Sequence, residues 1–348
     1  MLQSDVPLAP FSTFKIGGIA KNFIRYDNTT DRSAFISLLR SNQLPLFVVG
    51  GGSNTIFREG TIDALFIHVA TEGWSIAEEN ENEVTVRVKA GHNWDTFVEA
   101  MVEQGYQGVE ALSAIPGTVG ATPVQNVGAY GCEVKDTIVN VGVLDLTTYE
   151  NIDLPIDKLG FGYRMSIFKG KAKGKYLIEY VDFKLKKNNG QNSALPIPDY
   201  PGVAEKVKEL SGSRTIALSD IRNAIISIRK EKLPDPSVIP NNGSFFKNPI
   251  VDESTFQKIF AEFPDLRYFK TGESYKIPAG WLLEKAGLKG ARLGAVGLYE
   301  KNALVLYNAD NATFADLAGA VESISKTVST MFGITLEQEP EFIPESNF

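Results

Sequence analysis

Two glycine-rich segments of this 348-residue chain have the composition of sites that bind large cofactors through the backbone. The first, Gly50–Asn54 with the sequence GGGSN, follows the apolar run Pro45–Val49, which predicts a strand entering a tight loop. Successive glycines let the backbone approach an anion closely and direct N–H groups at it, so this loop could bind phosphate. A glycine-rich turn without a ligand is the alternative. Thr55 stands where a G-x-G-x-x-G dinucleotide fingerprint needs glycine, and no G-x-x-x-x-G-K-S/T motif occurs.

The second segment, Ile115–Gly131, holds four glycines and two prolines in 17 residues and follows neither helical nor strand spacing. Ordering so many small residues costs chain entropy, which a large flat ligand lying against the main chain would offset. An irregular loop folded on itself is the alternative. Together, the two segments favour one extended cofactor with a phosphate end and a ring end.

Arg164 lies among aromatic and aliphatic residues in the segment Gly162–Phe168. The planar donor fork of a guanidinium matches two oxygens, so Arg164 could clamp a substrate carboxylate or a developing oxyanion. The alternative is an arginine that covers apolar surface with its stem or pairs with a carboxylate of the protein.

Ser244 and Glu339 are weaker candidates when each is considered alone. Ser244 does not lie in a G-x-S-x-G nucleophile elbow, and a serine that hydrogen-bonds a turn is the alternative. Glu339 stands between Glu337 and Glu341, so a solvated acidic surface explains it equally well.

The composition excludes several classes of protein and of site. The net charge of −7 offers no basic footprint for nucleic acid or an anionic membrane. The single cysteine, Cys132, cannot form an internal disulfide, which is typical of a reducing compartment. With only His68 and His92 beside it, we predict no metal site. No apolar run approaches 18 residues and no basic-then-apolar leader opens the chain, so we predict a soluble, cytoplasmic protein.

Strand and helix signals alternate along the chain, which predicts an α/β or α+β class. Alternating apolar residues predict strands over Val84–Val88, Thr137–Leu146 and Lys175–Leu185. Helical spacing predicts helices over Trp94–Val102, after the candidate caps Ser219 and Ser254, and over Phe314–Met331 between Thr313 and Gly333. The polar, proline-rich stretch 186–215 is the best candidate for a boundary or surface excursion.

Five short motifs occur in one order, and together they are far more specific than any one of them. Their order and spacing resemble the UDP-N-acetylenolpyruvoylglucosamine reductase family, over nearly the whole chain from Thr13 to Ile343. The motifs are Gly50–Asn54, Ile115–Tyr130, Tyr163–Phe168, Gly243–Pro249 and Leu336–Glu339.

The resemblance implies an α+β fold with an FAD-binding part of the p-cresol methylhydroxylase/vanillyl-alcohol oxidase type, which is a two-part α/β domain. A smaller α+β substrate-binding domain would follow it. The implied boundaries are 1–70 and 71–218 for the two FAD-binding subdomains, 219–335 for the substrate-binding domain and 336–348 for a C-terminal segment returning to the first subdomain. The stretch 186–215 resembles the tyrosine-bearing insertion of the family's longer subclass.

The resemblance also implies roles for individual residues. Ser244 would be the proton donor, and Arg164 and Glu339 would stabilise the intermediate. Tyr200 would be the tyrosine of the insertion that closes over the substrate. The other implied substrate contacts are Tyr163, Lys232, Asn248 and Asn302. The implied FAD contacts are Gly50, Gly51, Gly52, Ser53 and Asn54 at the pyrophosphate, and Ile115, Pro116, Gly117, Gly120, Gln125, Asn126, Gly128, Ala129 and Tyr130 at the ribityl chain and ring.

The implied activity is the NADPH-dependent reduction of UDP-N-acetylglucosamine enolpyruvate to UDP-N-acetylmuramate, a cytoplasmic step of peptidoglycan precursor synthesis. It uses non-covalent FAD in a monomeric protein without nucleic-acid or membrane partners. Another flavin oxidoreductase of the same cofactor fold, with FAD attached through a residue such as His92 or Cys132, is one alternative. A non-catalytic protein that binds a nucleotide sugar is a second alternative.

Overall fold

Helices and strands alternate through residues 2–188 and 195–345, the part of the chain that the computed structural model describes. The helices are α1 Arg32–Ser41, α2 Trp94–Glu103, α3 Val203–Ser211, α4 Leu218–Lys232, α5 Glu253–Glu262, α6 Ala279–Lys285 and α7 Phe314–Phe332. The strands are β1 Leu2–Pro7, β2 Ile19–Asp27, β3 Leu46–Val49, β4 Thr55–Phe57, β5 Thr61–Ala70, β6 Trp74–Glu79, β7 Glu83–Lys89, β8 Tyr106–Gln107, β9 Gly128–Ala129, β10 Cys132–Glu133, β11 Ile138–Asp145, β12 Asn151–Pro155, β13 Tyr176–Lys187, β14 Asn241–Ser244, β15 Ile250–Val251, β16 Phe269–Thr271, β17 Ser274–Lys276, β18 Arg292–Leu293, β19 Val296–Tyr299, β20 Asn302–Asn308 and β21 Glu341–Ile343.

The described residues group into two compact units. Unit 1 takes those within Met1–Val6, Ala20–Gly51 and Asp63–Lys230. Unit 2 takes those within Pro7–Ile19, Gly52–Ile62 and Glu231–Phe348. The functional boundaries inferred at residues 70, 218 and 335 stay predictions, because compact units need not coincide with functional domains.

Unit 1 is organised around an antiparallel sheet with the strand order β12-β11-β13-β7-β6, and β8 pairs with the end of β13. A second sheet, with the order β1-β2-β5-β3, contains the parallel pair β3 and β5. The alternating residues Val84, Val86 and Val88 of β7 are all buried in the core, as their spacing predicts.

Helix α2 shows how the sequence fixes the core of unit 1. Asn93 caps the helix by accepting a hydrogen bond from the backbone N–H of Thr96 at 3.0 Å. The buried rings of Trp94 and Phe97 pack on Phe183 of β13, with centroid distances of 5.7 and 5.0 Å. The indole N–H donates to the Leu112 carbonyl at 2.8 Å, so this large ring is buried without an unsatisfied polar atom.

The stretch 186–215 contains an element that its polar composition did not predict. Residues 189–194 of that stretch lie outside the described residues, and α3 lies beyond them. Val203 and Val207 of α3 are fully buried against Ile221 and Ile225 of α4. The stretch therefore contains a helix that packs against α4 through a small hydrophobic cluster shared with it.

Unit 2 has its core between a sheet and helices α5 to α7. The sheet has the order β14-β20-β19-β18. Leu317, Ile324 and Val328 of α7 are fully buried, as the helical spacing predicts. Thr313 and Asp316 form a capping box at the start of α7, and Gly333, with φ of 67°, ends it, so both predicted end signals are confirmed.

Two other predicted helix starts lie two residues too late in the chain. Helix α5 is capped by Asp252, whose side chain accepts from Thr255 N–H at 2.7 Å, rather than by Ser254. Ser219 lies inside α4, where the carboxylate of Asp220 accepts from Ala217 N–H at 2.8 Å. In both cases the side chain that bonds a backbone N–H at the helix start is a nearby carboxylate and not the predicted serine hydroxyl.

The C-terminal segment returns to the glycine-rich loop within unit 2. Strand β21 pairs in parallel with β4, which directly follows residues 52–54. None of the helices in the described part of the chain combines the length and the apolar character that a membrane span requires.

Candidate functional site

In unit 2, the loop Gly52–Asn54 has a backbone that requires glycine at its first position. Gly52 has φ of 65°, and a Cβ placed on it would lie 1.8 Å from the carbonyl oxygen of Phe11. The Gly52 carbonyl accepts from Thr13 N–H at 3.1 Å, which holds the loop against the N-terminal segment. Only glycine combines this conformation with this close approach.

Asn54 joins the same loop to the segment that carries Glu339. Its Nδ2 donates to the Glu339 carbonyl at 3.2 Å, and its own carbonyl accepts from Glu341 N–H at 2.9 Å. The predicted catalytic carboxylate is thus attached through its backbone to the predicted phosphate loop.

Ser244 lies at the end of β14 and on a backbone segment adjacent to Glu339. The residue after it, Phe245, accepts from Glu339 N–H at 2.8 Å. Gly243 has φ of 68°, and its N–H donates to Asn241 Oδ1 at 2.8 Å. The left-handed glycine sets the direction in which the backbone enters Ser244, and the Asn241 side chain fixes that turn. The structure therefore brings Ser244, Glu339 and Gly52–Asn54 together in one unit.

The three neighbouring glutamates differ in their surroundings, although the sequence could not distinguish them. Glu337 forms an ion pair with Lys247, and its side chain is 71% exposed. Glu341 lies on β21 at the pairing edge with β4. Glu339 is only 9% exposed as a whole residue. Because the backbone of Glu337 also bonds to this segment, through Lys247 N–H, it is burial that distinguishes Glu339.

The predicted substrate contacts in unit 2 are placed by turns and element ends. Asn248 Oδ1 accepts from Ala279 N–H at 2.9 Å, at the start of α6. Asn302 Oδ1 accepts from Leu304 N–H at 3.1 Å, at the start of β20. Lys232 is exposed at the last position of α4.

In unit 1, the two glycine-rich segments touch. Gly50 lies against Thr118, and a Cβ on Gly51 would lie 2.9 Å from the Cα of Gly117. The second segment continues beside the start of α2, where Gly120 N–H donates to the Ala90 carbonyl at 2.8 Å. Of the remaining residues predicted to contact the cofactor here, Asn126 is buried. The others are partly or fully exposed, namely Ile115, Pro116, Gln125, Gly128, Ala129 and Tyr130.

Asn126 is a structural member of this segment. It is fully buried, its Nδ2 donates to the Gly162 carbonyl at 3.1 Å, and its Oδ1 accepts from Lys135 N–H at 3.2 Å. Its side chain therefore ties the segment to the loop before Tyr163, and its contact with the cofactor stays a prediction. Gln125 Oε1 accepts from Lys169 Nζ at 3.3 Å.

Arg164 is directed at the second segment. Its Nη2 donates to the Gly128 carbonyl at 2.9 Å, and the guanidinium carbon lies 5.6 Å from the centroid of the Tyr163 ring. Four non-glycine residues in this region have left-handed backbone: Ala114, Asn126, Tyr130 and Arg164. This conformation is uncommon outside glycine, and it concentrates at functional sites.

Arg229 is a candidate site residue that belongs to none of the five sequence motifs. Its Nε donates to the Ala114 carbonyl at 3.2 Å, and burial lowers the pKa of its guanidinium. Burial also raises the pKa of the Tyr130 hydroxyl, while the nearby Arg229 charge and hydrogen bond lower it. The signal was in the sequence: Arg229 follows Ile221 and Ile225 at helical spacing, so it lies on the buried face of α4.

Tyr200 lies beside the same cluster. Its ring is edge-on to Tyr130, with a centroid distance of 5.2 Å and an interplanar angle of 83°, and the side chain remains partly exposed. The structure therefore groups Tyr130, Tyr200 and Arg229, which all belong to unit 1.

The chain matches two protein families. Residues 20–148 match the family described as FAD binding domain. Residues 235–343 match the family described as UDP-N-acetylenolpyruvoylglucosamine reductase, C-terminal domain.

Curated relatives and a solved structure match nearly the full length. The chain is 39% identical to UDP-N-acetylenolpyruvoylglucosamine reductase of Flavobacterium johnsoniae, over 98% of this chain and 99% of the relative. It is 40% identical to the protein of that name from Bdellovibrio bacteriovorus, over 97% and 98%. The crystal structure of UDP-N-acetylenolpyruvylglucosamine reductase from Thermus caldophilus covers 98% of this chain and 99% of its own, with a TM-score of 0.66 and 22% identity. This structural match and the FAD-binding match confirm the predicted α+β fold with an FAD-binding part.

Proposed function

Because this chain belongs to the family of UDP-N-acetylenolpyruvoylglucosamine reductases, we propose that it reduces the enolpyruvyl group of UDP-N-acetylglucosamine enolpyruvate to give UDP-N-acetylmuramate. It is an FAD-dependent oxidoreductase that uses NADPH, and the family inferred from the five motifs is confirmed. The main structural support for this reaction lies within unit 2, where hydrogen bonds join the backbone segments of Gly52–Asn54, Ser244 and Glu339. We place the reaction in the cytoplasm and assign a monomer.

The glycine-rich segments fit the cofactor. In unit 1 Gly51 lies against Gly117, and in unit 2 Gly52 lies against Phe11. Each backbone approaches its neighbour too closely for a side chain, and glycine-rich backbone of this kind binds phosphate groups through its N–H groups. We assign the pyrophosphate to Gly50–Asn54, and the ribityl chain and ring to the exposed residues of 115–130. Bound FAD supplies the hydride that NADPH provides.

Arg164 is assigned to the carboxylate of the enolpyruvyl group. Hydride addition at the terminal carbon drives negative charge onto the adjacent carbon and into that carboxylate. A guanidinium held in place by the Gly128 carbonyl needs no reorganisation as the charge grows. Such a preorganised donor is typically worth roughly 3 to 4 kcal/mol of transition-state stabilisation.

Ser244 and Glu339 are assigned to the last step, in which the intermediate formed by hydride addition is stabilised and protonated. The carbon next to the carboxylate must receive a proton, and a serine hydroxyl is an adequate donor to so strong a base. The half-buried Ser244 is held by the Gly243 turn, and the carboxyl of Glu339 is assigned to stabilising the intermediate. Lys232, Asn248, Asn302 and Tyr163 are assigned to the nucleotide sugar.

The proposed reaction has a direct test. We expect the purified protein to be yellow and, after anaerobic reduction by NADPH, to regain its flavin absorbance when UDP-N-acetylglucosamine enolpyruvate is added. UDP-N-acetylglucosamine, which lacks the alkene, is the control and should leave the flavin reduced. Reoxidation by oxygen alone, with steady oxygen consumption that does not require NADPH, would instead identify an oxidase of the same cofactor fold.

Replacing Tyr200 tests its assignment as the tyrosine that closes over the substrate. We expect Tyr200→Phe to raise KM about five- to tenfold, the effect of one lost hydrogen bond, with little change in reduction of the flavin by NADPH. Tyr200→Ala should raise KM further, because it also removes the edge-on ring contact with Tyr130. An unchanged KM in both variants would remove Tyr200 from the site.

A further inference from the structure

Asn242 connects the glycine-rich loop to the strand that carries Ser244. Its Nδ2 lies 3.0 Å from the Ser53 carbonyl, 3.1 Å from Thr13 Oγ1 and 3.4 Å from the Gly52 carbonyl. All four residues belong to unit 2, and Asn242 is only 8% exposed. One buried amide group therefore holds two consecutive carbonyls of the loop.

The partners of Asn242 fix the orientation of its amide. Carbonyl oxygens only accept, so the NH₂ group and not Oδ1 must face Gly52 and Ser53. Oδ1 is buried and meets no donor among residues 2–188 and 195–345. A leucine of similar volume would avoid the cost of that unsatisfied acceptor, so packing alone does not account for an asparagine here.

Asn242 also closes a ring of contacts around the candidate site. Asn242 bonds to the loop at Ser53, the neighbouring Asn54 bonds to the Glu339 carbonyl, and Glu339 N–H bonds to Phe245. Phe245 is three residues after Asn242 on the same strand segment. The loop, the Ser244 segment and the Glu339 segment are thus mutually fixed.

We propose that Asn242 is a positioning residue that sets the loop Gly52–Asn54 in register with Ser244, and thereby strengthens FAD binding and aligns the proton donor. The inference rests on the proposed binding of FAD by this loop. Asn242 acts through the Gly52 and Ser53 carbonyls, so it holds the loop in shape without needing to touch the cofactor.

The test measures how fast the holoenzyme releases FAD, through the rise in free-flavin fluorescence after dilution, with no substrate present. We expect Asn242→Leu, which keeps the volume and removes the donor, to release FAD about tenfold faster, consistent with the loss of one to two hydrogen bonds. Asn242→Asp should release it faster still, since a carboxylate would face two carbonyl oxygens. In the FAD-saturated leucine variant, reoxidation by the enolpyruvyl substrate should slow about tenfold, while reduction by NADPH stays near the wild-type rate.

Asn308→Leu is the matched control. Asn308 Nδ2 donates to the Phe14 carbonyl at 3.2 Å, so this variant also breaks an asparagine contact with the N-terminal segment of unit 2, but it leaves Gly52 and Ser53 untouched. Its FAD release should match the wild type. If Asn242→Leu does not fold, Thr13→Val removes one acceptor at nearly constant volume and should speed FAD release about two- to threefold.

The outcomes separate this inference from the proposed function. Wild-type FAD release in Asn242→Leu, or equal effects of Asn242→Leu and Asn308→Leu, would overturn the positioning role while the proposed reaction stands. Wild-type protein that binds FAD but is not reoxidised by the enolpyruvyl substrate would overturn the proposed reaction and leave the FAD-release result valid.

Discussion

Replacing Ser244 with alanine is expected to slow reoxidation of the reduced flavin by the enolpyruvyl nucleotide sugar about 10³-fold, within the range of general acid catalysis. Reduction of the flavin by NADPH should stay near the wild-type rate, because that half-reaction needs no proton on a substrate carbon. The backbone should not change, since Gly243 and Asn241 set the turn and an alanine accepts the same conformation. Rapid-mixing measurements of the two half-reactions check this split.

Ser237→Ala is the control for the Ser244 variant. Ser237 also lies in unit 2, but its hydroxyl donates to Asp235 Oδ1 at 2.7 Å in an exposed turn, so its loss should leave both half-reactions unchanged. Near-normal reoxidation in Ser244→Ala would reject the proton-donor role. Ser244→Cys should recover part of the rate, because a thiol can also donate a proton.

The sequence predicted those parts of the fold that depend on residues close together in the chain. The alternation of Val84, Val86 and Val88 and the helix between Thr313 and Gly333 are each complete within one stretch of chain. The glycine-rich segments are visible in the sequence for the same reason, because a close backbone approach such as that of Gly51 to Gly117 requires glycine.

The parts that were missed depend on contacts distant in the chain. Nothing near Glu339 in the sequence distinguishes it from Glu337, and its burial beside the segment of Phe245, more than 90 residues earlier, does so. Asn242 likewise acts on Gly52 and Ser53, about 190 residues away. The order of the motifs supplied Ser244 and Glu339 through the family resemblance, but no local pattern predicts such clamps.

The role of Arg229 and the presence of α3 could both be predicted from the spacing of apolar residues. Arg229 continues the apolar spacing of Ile221 and Ile225, and a charged residue on such a face calls for a buried partner. The spacing of Val203 and Val207 predicts one face of a helix, but the polar and proline-rich residues around it obscured α3. Composition averages over a whole stretch of sequence, whereas the spacing of apolar residues identifies the helix face that packs against the core.

Replacing Arg164 with methionine is expected to slow reoxidation by the enolpyruvyl substrate about 10²- to 10³-fold, the effect of losing one preorganised donor to a growing charge. Arg164→Lys should lose less, because it keeps the charge but not the planar fork that matches a carboxylate. Both side chains meet the same backbone strain, since Arg164 has φ of 52°, so the comparison isolates the head group. Arg25→Met, which removes an exposed arginine paired with Asp27, is the control and should leave the rate unchanged.

The decisive measurement for Arg164 is the division of its effect between KM and the rate at saturating substrate. The substrate carboxylate is already charged before hydride transfer, so an arginine that only binds it would raise KM and leave the saturating rate intact. An arginine that meets the additional charge must lower the saturating rate as well. Because the Gly128 carbonyl holds the guanidinium in place before any substrate arrives, we expect the larger loss in the saturating rate. A pure KM effect would reduce Arg164 to a binding residue and leave the stabilisation of the intermediate to other groups.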